Sequence, residues 1–446
     1  MSSTGEFSKE LLNLDIDMKA DKVWKIGLMG PFGGNLGDAA IQQAMIQNIN
    51  RFLPSSKVFG FSLDPKDTEA RHGITSYPIN RVSDREGWWL GKEPSSFTAR
   101  LYNSFERLKS VSPPLFSKIA RLLLGIPLEV FAILRAYKTI KTLDIFIVSG
   151  GGQLDDYWYG PWFHPYTLLV WAVLAKLAGV KFLIVSVGAG PLSARISRLF
   201  IRITLALADY CSYRDQDSKR YIESFLGKAN KDAFVFPDLA HSLEIPANQA
   251  LITSSCRRLI GIGPIPYFNP ELWPEKDGII YWNYLEKLAE FINWLFKKEY
   301  GILFLIGEFG QDKPAINDLK SILYRNSEKH FHDRIIDQPI LSVDTLLNCI
   351  DKTEMVISSR FHGVLLSQVM RTPVLALSYH PKINVLMASS GCQEYCLPID
   401  NFTVKDLQRK FIALEENDFQ VEQQLLQFTQ DCKNALREQY KNIFGS

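Results

Sequence analysis

The sequence predicts an α/β protein of two doubly wound, Rossmann-like domains facing a central cleft. Three observations predict it. Short apolar runs of strand length recur along the chain, each ending in Gly or a polar turn and followed by a helical pattern. The runs are almost continuously apolar, the mark of parallel strands covered on both faces. A polar stretch, Pro246 to Ser255, divides them into two sets. The length of 446 residues suits two or three domains. The division expected is a polar extension 1–22, a first domain 23–245 with an insertion 84–141, a second domain 256–415, and a C-terminal helix 416–446.

In order, Trp24 to Met29 is the first strand, and it breaks at a glycine-rich loop running to Asp38. A helix from Ala39 to about Phe52 follows. Asp144 to Ser149, Lys181 to Val187, Tyr210 to Tyr213 and Ala233 to Phe236 complete the first set. The second set is Leu259 to Gly263, Ile302 to Ile306, Arg334 to Ile336, Met355 to Ser358 and Pro373 to Leu377. From Phe402 the pattern is helical, and Val421 to Tyr440 reads as one long final helix. The insertion 84–141 interleaves Arg and Lys with Leu, Ile and Phe. It reads either as helices packed on the first domain or as a basic amphipathic surface for anionic lipid.

Fifty Lys+Arg against 48 Asp+Glu leave a formal charge of only +2, which argues against a broad nucleic-acid-binding surface. The six cysteines are scattered, with one C-x3-C pair at Cys392 and Cys396 and no second pair. Neither a zinc site nor a secreted disulfide scaffold fits that pattern. Met1 to Lys22 has no basic segment followed by an apolar one, so no signal peptide is expected. The most apolar stretch, Tyr166 to Val180, is interrupted by Lys176 and is too short to span a bilayer. The expectation is a soluble, cytoplasmic protein that needs no metal.

The candidate chemistry lies where strands end. Open α/β sheets bind ligands at the carboxyl ends of their strands, and a helix N-terminus favours an anion there. Asn35, Gly37 and Asp38 sit in the first such loop. Ser149-Gly150-Gly151-Gly152-Gln153-Leu154-Asp155-Asp156 forms the second, where absent Cβ atoms let a ligand or another backbone come close. Asp155 could accept a proton or bind a sugar hydroxyl, or merely cap a helix. Gly188 to Pro191 makes a third loop. Arg214, after Ser212-Tyr213, points toward the crevice or serves in a structural ion pair, and Asp215 can cap the next helix. The sharpest pattern is Ser359-Arg360-Phe361-His362-Gly363 between a buried strand and a helix. Arg offers a fork for carboxylate or phosphate, and His exchanges protons near neutral pH. Tyr379-His380-Pro381-Lys382 adds a second basic cluster at the same edge.

Taken in order, these residues resemble the polysaccharide pyruvyl transferase family. The resemblance runs from Asn35-Leu36-Gly37-Asp38-Ala39-Ala40-Ile41 through Gly150-Gly151-Gly152-Gln153-Leu154-Asp155 and Ser212-Tyr213-Arg214-Asp215 to Ser359-Arg360-Phe361-His362-Gly363. Pro237-Asp238, Tyr379 and Lys382 also fall in place. A later Gly-x-Pro of the family is Arg371-Thr372-Pro373 here, and the insertion 84–141 has no counterpart. The resemblance implies a GT-B-like architecture with the active site in the cleft. It also implies transfer of the enolpyruvyl unit of phosphoenolpyruvate to two hydroxyls of a sugar, giving a pyruvate ketal and phosphate, with no cofactor. On that reading His362 is the acid, and Asp155 or Asp38 the base. Arg360 and Arg214 take the donor charge, with Asn35, Gly37, Gly151, Gly152, Tyr379 and Lys382 around the substrates. The partners would be phosphoenolpyruvate, a sugar or lipid-linked oligosaccharide acceptor, and by peripheral contact the inner membrane face. The competing readings are a nucleotide-sugar glycosyltransferase on the same fold, with Glu308 near the donor ribose, and a non-catalytic carbohydrate-binding relative.

Overall fold

In the computed structural model the residues described are 22–30, 34–81, 114–157, 160–226, 233–245, 258–326 and 328–445, with the side chains of 114–125 and of residue 330 outside the description. The expected N-terminal extension, the first part of the insertion and the 246–255 linker therefore lie outside the described residues, apart from Lys22.

Among the described residues every pairing between strands is parallel. The first sheet has the order β3-β2-β1-β4-β5-β6-β7. Its strands are β1 (Lys25–Met29), β2 (Lys57–Ser62), β3 (Ser76–Pro78), β4 (Ile145–Ser149), β5 (Lys181–Val187), β6 (Tyr210–Tyr213) and β7 (Phe234–Val235). The second sheet has the order β10-β9-β8-β11-β12-β13. It comprises β8 (Leu259–Gly263), β9 (Gly301–Phe304), β10 (Ile335–Ile336), β11 (Met355–Ser358), β12 (Val374–Ser378) and β13 (Cys396–Pro398). Three of these strands, β2, β3 and β13, were not among the expected runs. In β2 the interior Gly60 breaks the apolar run, and β3 and β13 are three-residue edge strands with a Pro at the end.

Alternate side chains of the first sheet serve two cores, as period-2 geometry demands. Ile145 and Ile147 point to the face shared with α1 (Leu36–Phe52), while Phe146 and Val148 point to the other. That second face is covered by α3 (Pro114–Ile140), α4 (His164–Ala178) and α5 (Arg195–Leu207), which pack side by side. The described end of the insertion is thus a helix docked through Leu128, Ala132, Ala136 and Ile140. α2 (Pro65–His72) and α6 (Gln216–Leu226) complete the first domain. The helices of the second are α7 (Gly278–Lys297), α8 (Phe309–Asn326), α9 (Val343–Asp351), α10 (Phe361–Val369), α11 (Pro381–Ser389) and α12 (Val404–Glu416).

One apolar core runs from α1 through the second domain to the last helix, α13 (Asp418–Phe444), and fixes the two sheets against each other. α13 touches both. Its Thr429 donates to the Gln368 carbonyl (3.2 Å), while buried Gln439 donates to Ser212 Oγ (2.6 Å) and accepts from Ser186 Oγ (3.0 Å). A buried amide satisfied on both sides ties the chain end to the strand that carries Arg214.

Candidate active site

Each sheet reverses its strand order once, between β1 and β4 in the first and between β8 and β11 in the second. Such switch points open a crevice at the carboxyl ends of the strands. Asn35 to Asp38 and Gly150 to Asp155 line the first crevice, and Ser359 to Gly363 follows β11 at the second. The helix starts there are built by ordinary capping. Asn35 Oδ1 accepts from the Gly37 and Asp38 amides (2.9 and 3.1 Å), so α1 begins at Leu36 rather than Ala39. Asp215 accepts from Ser218 N (2.6 Å) as the sequence suggested.

The glycine loops bring backbone to backbone. Leu36 N donates to the Gly307 carbonyl (2.7 Å) and Phe309 N to that of Gly34 (3.1 Å), joining the first crevice to the second domain. Gly188 N donates to Gly151 O (2.7 Å), and Gly190 N to Leu154 O (3.0 Å). Gly150 and Gly151 both adopt positive φ, which glycine takes at no steric cost. Several other glycines are seats for site side chains. A Cβ on Gly37 would strike the His362 ring, one on Gly188 would come 2.6 Å from Arg214, and one on Gly190 would come 2.8 Å from Asp155. Gly152 is exposed, and a Cβ there would meet only Asp155, at 3.6 Å.

His362, Asp238, Arg214 and Asp38 form the centre. His362 Nε2 lies 3.7 Å from Asp238 Oδ2, and Arg214 Nη1 lies 3.3 Å from the same oxygen. Burial alone would raise the Asp238 carboxyl, but His362, Arg214 and the Ala240 amide together hold it well below the usual range. Phe361 carries cations on its ring, with Arg214 Cζ at 4.6 Å and Lys382 Nζ at 5.7 Å from the centroid. Burial pushes Asp38 up to about 6, with Glu308 and Asp238 adding to the shift and His362 and Lys382 opposing it. Burial likewise pushes Asp155 up to about 6 against the pull of Lys382. Asp156 beside it accepts from the Ser193 and Ala194 amides (2.9 and 3.0 Å) and anchors that loop. A cavity of about 330 Å³ opens beside the cluster, between Arg214, Asp238, Phe361, Lys382, Leu386 and Phe428.

Arg360 turns away from His362. Its Nε and Nη2 donate to Asp312 Oδ1 (2.9 and 2.6 Å), and Nη1 lies 3.0 Å from Glu308 Oε2. The fork expected for the donor is therefore filled by carboxylates of its own domain. Tyr379 packs edge-on to Trp273 (5.6 Å between centroids) and flanks Lys382. Sequence reasoning gave no role to Phe361 or Asp312, placed Asp238 only within the family pattern, and offered Glu308 only for a nucleotide-sugar donor. Asp238 had a signal, since it lies three residues after the end of β7, whereas the platform role of Phe361 is visible only in three dimensions. Among the described residues no three His, Cys, Asp or Glu side chains are grouped to hold a metal ion.

Gly37 supplies a direct test of this arrangement. Gly37→Ala should move the His362 ring and reduce turnover about a hundredfold, the cost of a misplacement near 1 Å. Thermal unfolding should show a cooperative transition at a lowered midpoint, because the added methyl overpacks a buried contact at a cost of about 1–3 kcal/mol. Unchanged turnover would show that the ring position is irrelevant.

Two parallel-sheet domains closing on a cleft at their switch points are the GT-B fold, and solved structures of that fold match over nearly the whole chain. The UDP-GlcNAc 2-epimerase of Neisseria meningitidis bound to UDP-GlcNAc shares 13% identity at a TM-score of 0.55, over 95% of this chain and 100% of that one. A putative UDP-N-acetylglucosamine 2-epimerase of Listeria monocytogenes shares 12% at 0.53, over 91% of each chain. The UDP-GlcNAc 2-epimerase of Methanocaldococcus jannaschii shares 11% at 0.51, over 87% and 92%. At such identities the likeness concerns the fold alone. No curated protein matches the chain. The model of the family described as polysaccharide pyruvyl transferase matches residues 35–381, and the chain belongs to that family.

Proposed function

We propose that the protein transfers the enolpyruvyl unit of phosphoenolpyruvate to two hydroxyls of a sugar, forming a cyclic pyruvate ketal and releasing phosphate. The observation that carries this reading is the juxtaposition of His362 and Asp38 with the cations on the Phe361 ring, one of which, Lys382, also acts on Asp155. Lys382 takes the charge of the donor together with Arg214, whose Nη2, unlike Nη1 and Nε, is not engaged by Asp238 or Asp215. Arg360 acts indirectly, by holding Glu308 and Asp312.

The steps balance without a cofactor. His362 delivers a proton to C3, and the electron-poor C2 is attacked by a first hydroxyl whose proton passes to a carboxylate. The C2–O bond to phosphate then breaks, the second hydroxyl closes the ring and phosphate carries off its proton, and the proton left on the carboxylate returns to His362 through solvent. Of the two raised carboxyls, Asp155 is the base for the acceptor. It adjoins exposed Gly152, where a sugar has room to approach, whereas Asp38 is buried in the turn that seats His362. A base with a pKa near 6 is deprotonated at neutral pH yet still basic enough to act. The acceptor is a sugar or lipid-linked oligosaccharide, and the setting is cytoplasmic.

A nucleotide-sugar glycosyltransferase would need an acidic residue free for the donor ribose. Glu308, the candidate, is paired with Arg360. Incubation with phosphoenolpyruvate and a glycan panel should release phosphate only with a matching acceptor, and mass spectrometry should find the ketal on it. Glycosyl transfer from a nucleotide sugar, without phosphate release from phosphoenolpyruvate, would replace this reading.

A further inference from the structure

The helical layer on the outer face of the first sheet has a surface composition that neither the fold nor the proposed chemistry requires. The outward stripe of a helix on a soluble domain is ordinarily polar. On α3 that stripe runs Ile126, Val130, Phe131 and Leu134 before reaching Lys138, and the four apolar side chains are 42–58% exposed. On α4, which packs beside it, Leu177 is 68% exposed and Val173 also faces outward. On α5, the next helix across, Leu199 and Ile203 are exposed between Arg195, Arg198 and Arg202. Half of the strongly exposed large apolar side chains among the described residues lie on this one face, including Trp162 just before α4. Apolar groups on this scale mark a surface that meets something.

The charge says what. From 126 to 140 on α3 and along α4 and α5 there are six cations, Arg135, Lys138, Lys176, Arg195, Arg198 and Arg202, against one carboxylate, Glu129. The chain as a whole is nearly balanced. Glu129 is already taken by Arg81 (3.3 Å) and Tyr166 (3.3 Å), and Lys176 by Asp209 (2.6 Å). Among the described residues Arg195 and Arg202 have no ion pair, and both are exposed. Exposed Ile, Val, Leu and Phe with unpaired Arg and a Trp at the margin suit the interface of an anionic bilayer, where apolar side chains enter the acyl boundary and cations meet headgroups. Among the described residues no helix is long and apolar enough to cross a membrane, so the contact would be peripheral.

We infer that the α3–α4–α5 face docks the protein on an anionic lipid surface. Trp162 lies at the N-terminal end of α4, six residues beyond Asp156, and packs on Phe200 of α5 (5.4 Å between centroids). The face therefore includes the segment that enters α4 as well as the three helices. The inference rests on surface composition and does not depend on the donor or the reaction.

Vesicle flotation tests it. The whole protein should float with phosphatidylcholine vesicles containing phosphatidylglycerol, and not with phosphatidylcholine alone. Raising salt from about 0.1 to about 0.5 M should release it. Arg195→Glu with Arg202→Glu should weaken partition at least about 25-fold, roughly fivefold for each cation removed. Phe131→Ser with Leu134→Ser should weaken it even at low salt. Thermal unfolding of both double variants shows whether the fold persists, and if either is unfolded, Leu177→Ser and Arg202→Gln singly give the same reading. Equal flotation with neutral and anionic vesicles, or none at low salt, overturns the inference. So does a wild-type dimer that ignores vesicles and becomes monomeric in the Phe131→Ser, Leu134→Ser variant, which would make this face a contact between copies of the chain.

Discussion

Replacing His362 by Asn is expected to cost on the order of 10²–10⁴ in turnover while leaving affinity for phosphoenolpyruvate nearly unchanged. The ring is fixed from several sides. Gly37 seats it, Phe361 meets it edge-on (5.1 Å between centroids), and the Asp238 carboxylate stands 3.7 Å from Nε2. That nitrogen is buried, and the carboxylate it faces is farther than a normal hydrogen bond. Asn fits the same space and keeps one amide donor, but it cannot deliver a proton to carbon. Donor affinity should survive because Arg214 and Lys382 remain on the Phe361 ring. Calorimetric titration with phosphoenolpyruvate beside single-turnover phosphate release separates the two effects. A variant that turns over normally, or loses only donor affinity, would make His362 a binding residue and move the proton source to Asp38.

The same cluster explains what the sequence could and could not disclose. Long apolar strands followed by glycine announce themselves, because a central parallel strand has no polar face. β4 and β5 were therefore legible almost to the residue. β2 was not, since its Gly60 makes room for Thr68 and Ser76 at the price of the apolar pattern. At the site, the residue types were legible but their partners were not. Arg360 and His362 are two residues apart and looked like one constellation. Arg360 instead leads to Asp312 and Glu308, and His362 to Asp238, more than a hundred residues away in sequence. The glycine loops were visible as loops. Their purpose depends on which side chain a Cβ would strike, and only the packed structure decides that.

Asp155→Asn is expected to lower turnover with acceptor by about 10²–10⁴ and to remove the acidic limb of the pH profile. Burial pushes the Asp155 carboxyl up to about 6. A general base works only when deprotonated, so the wild-type rate should fall about tenfold per pH unit well below 6, and the His362 proton donor adds a separate basic limb that Asp155→Asn should leave in place. Bound donor adds negative charge, which favours the protonated form and would move the limb upward in kcat relative to kcat/KM. Asn is nearly isosteric and removes the titrating group from a site where the charge is already disfavoured, so the fold should tolerate it. Asp38 provides the discriminating comparison, because its carboxyl is also raised to about 6. Asp38→Asn changes the charge beside His362 and should reduce the rate while leaving an acidic limb in place. If that variant abolishes the limb and Asp155→Asn keeps it, Asp38 is the base, and Asp155 contributes through its neighbours Lys382 and Gly190.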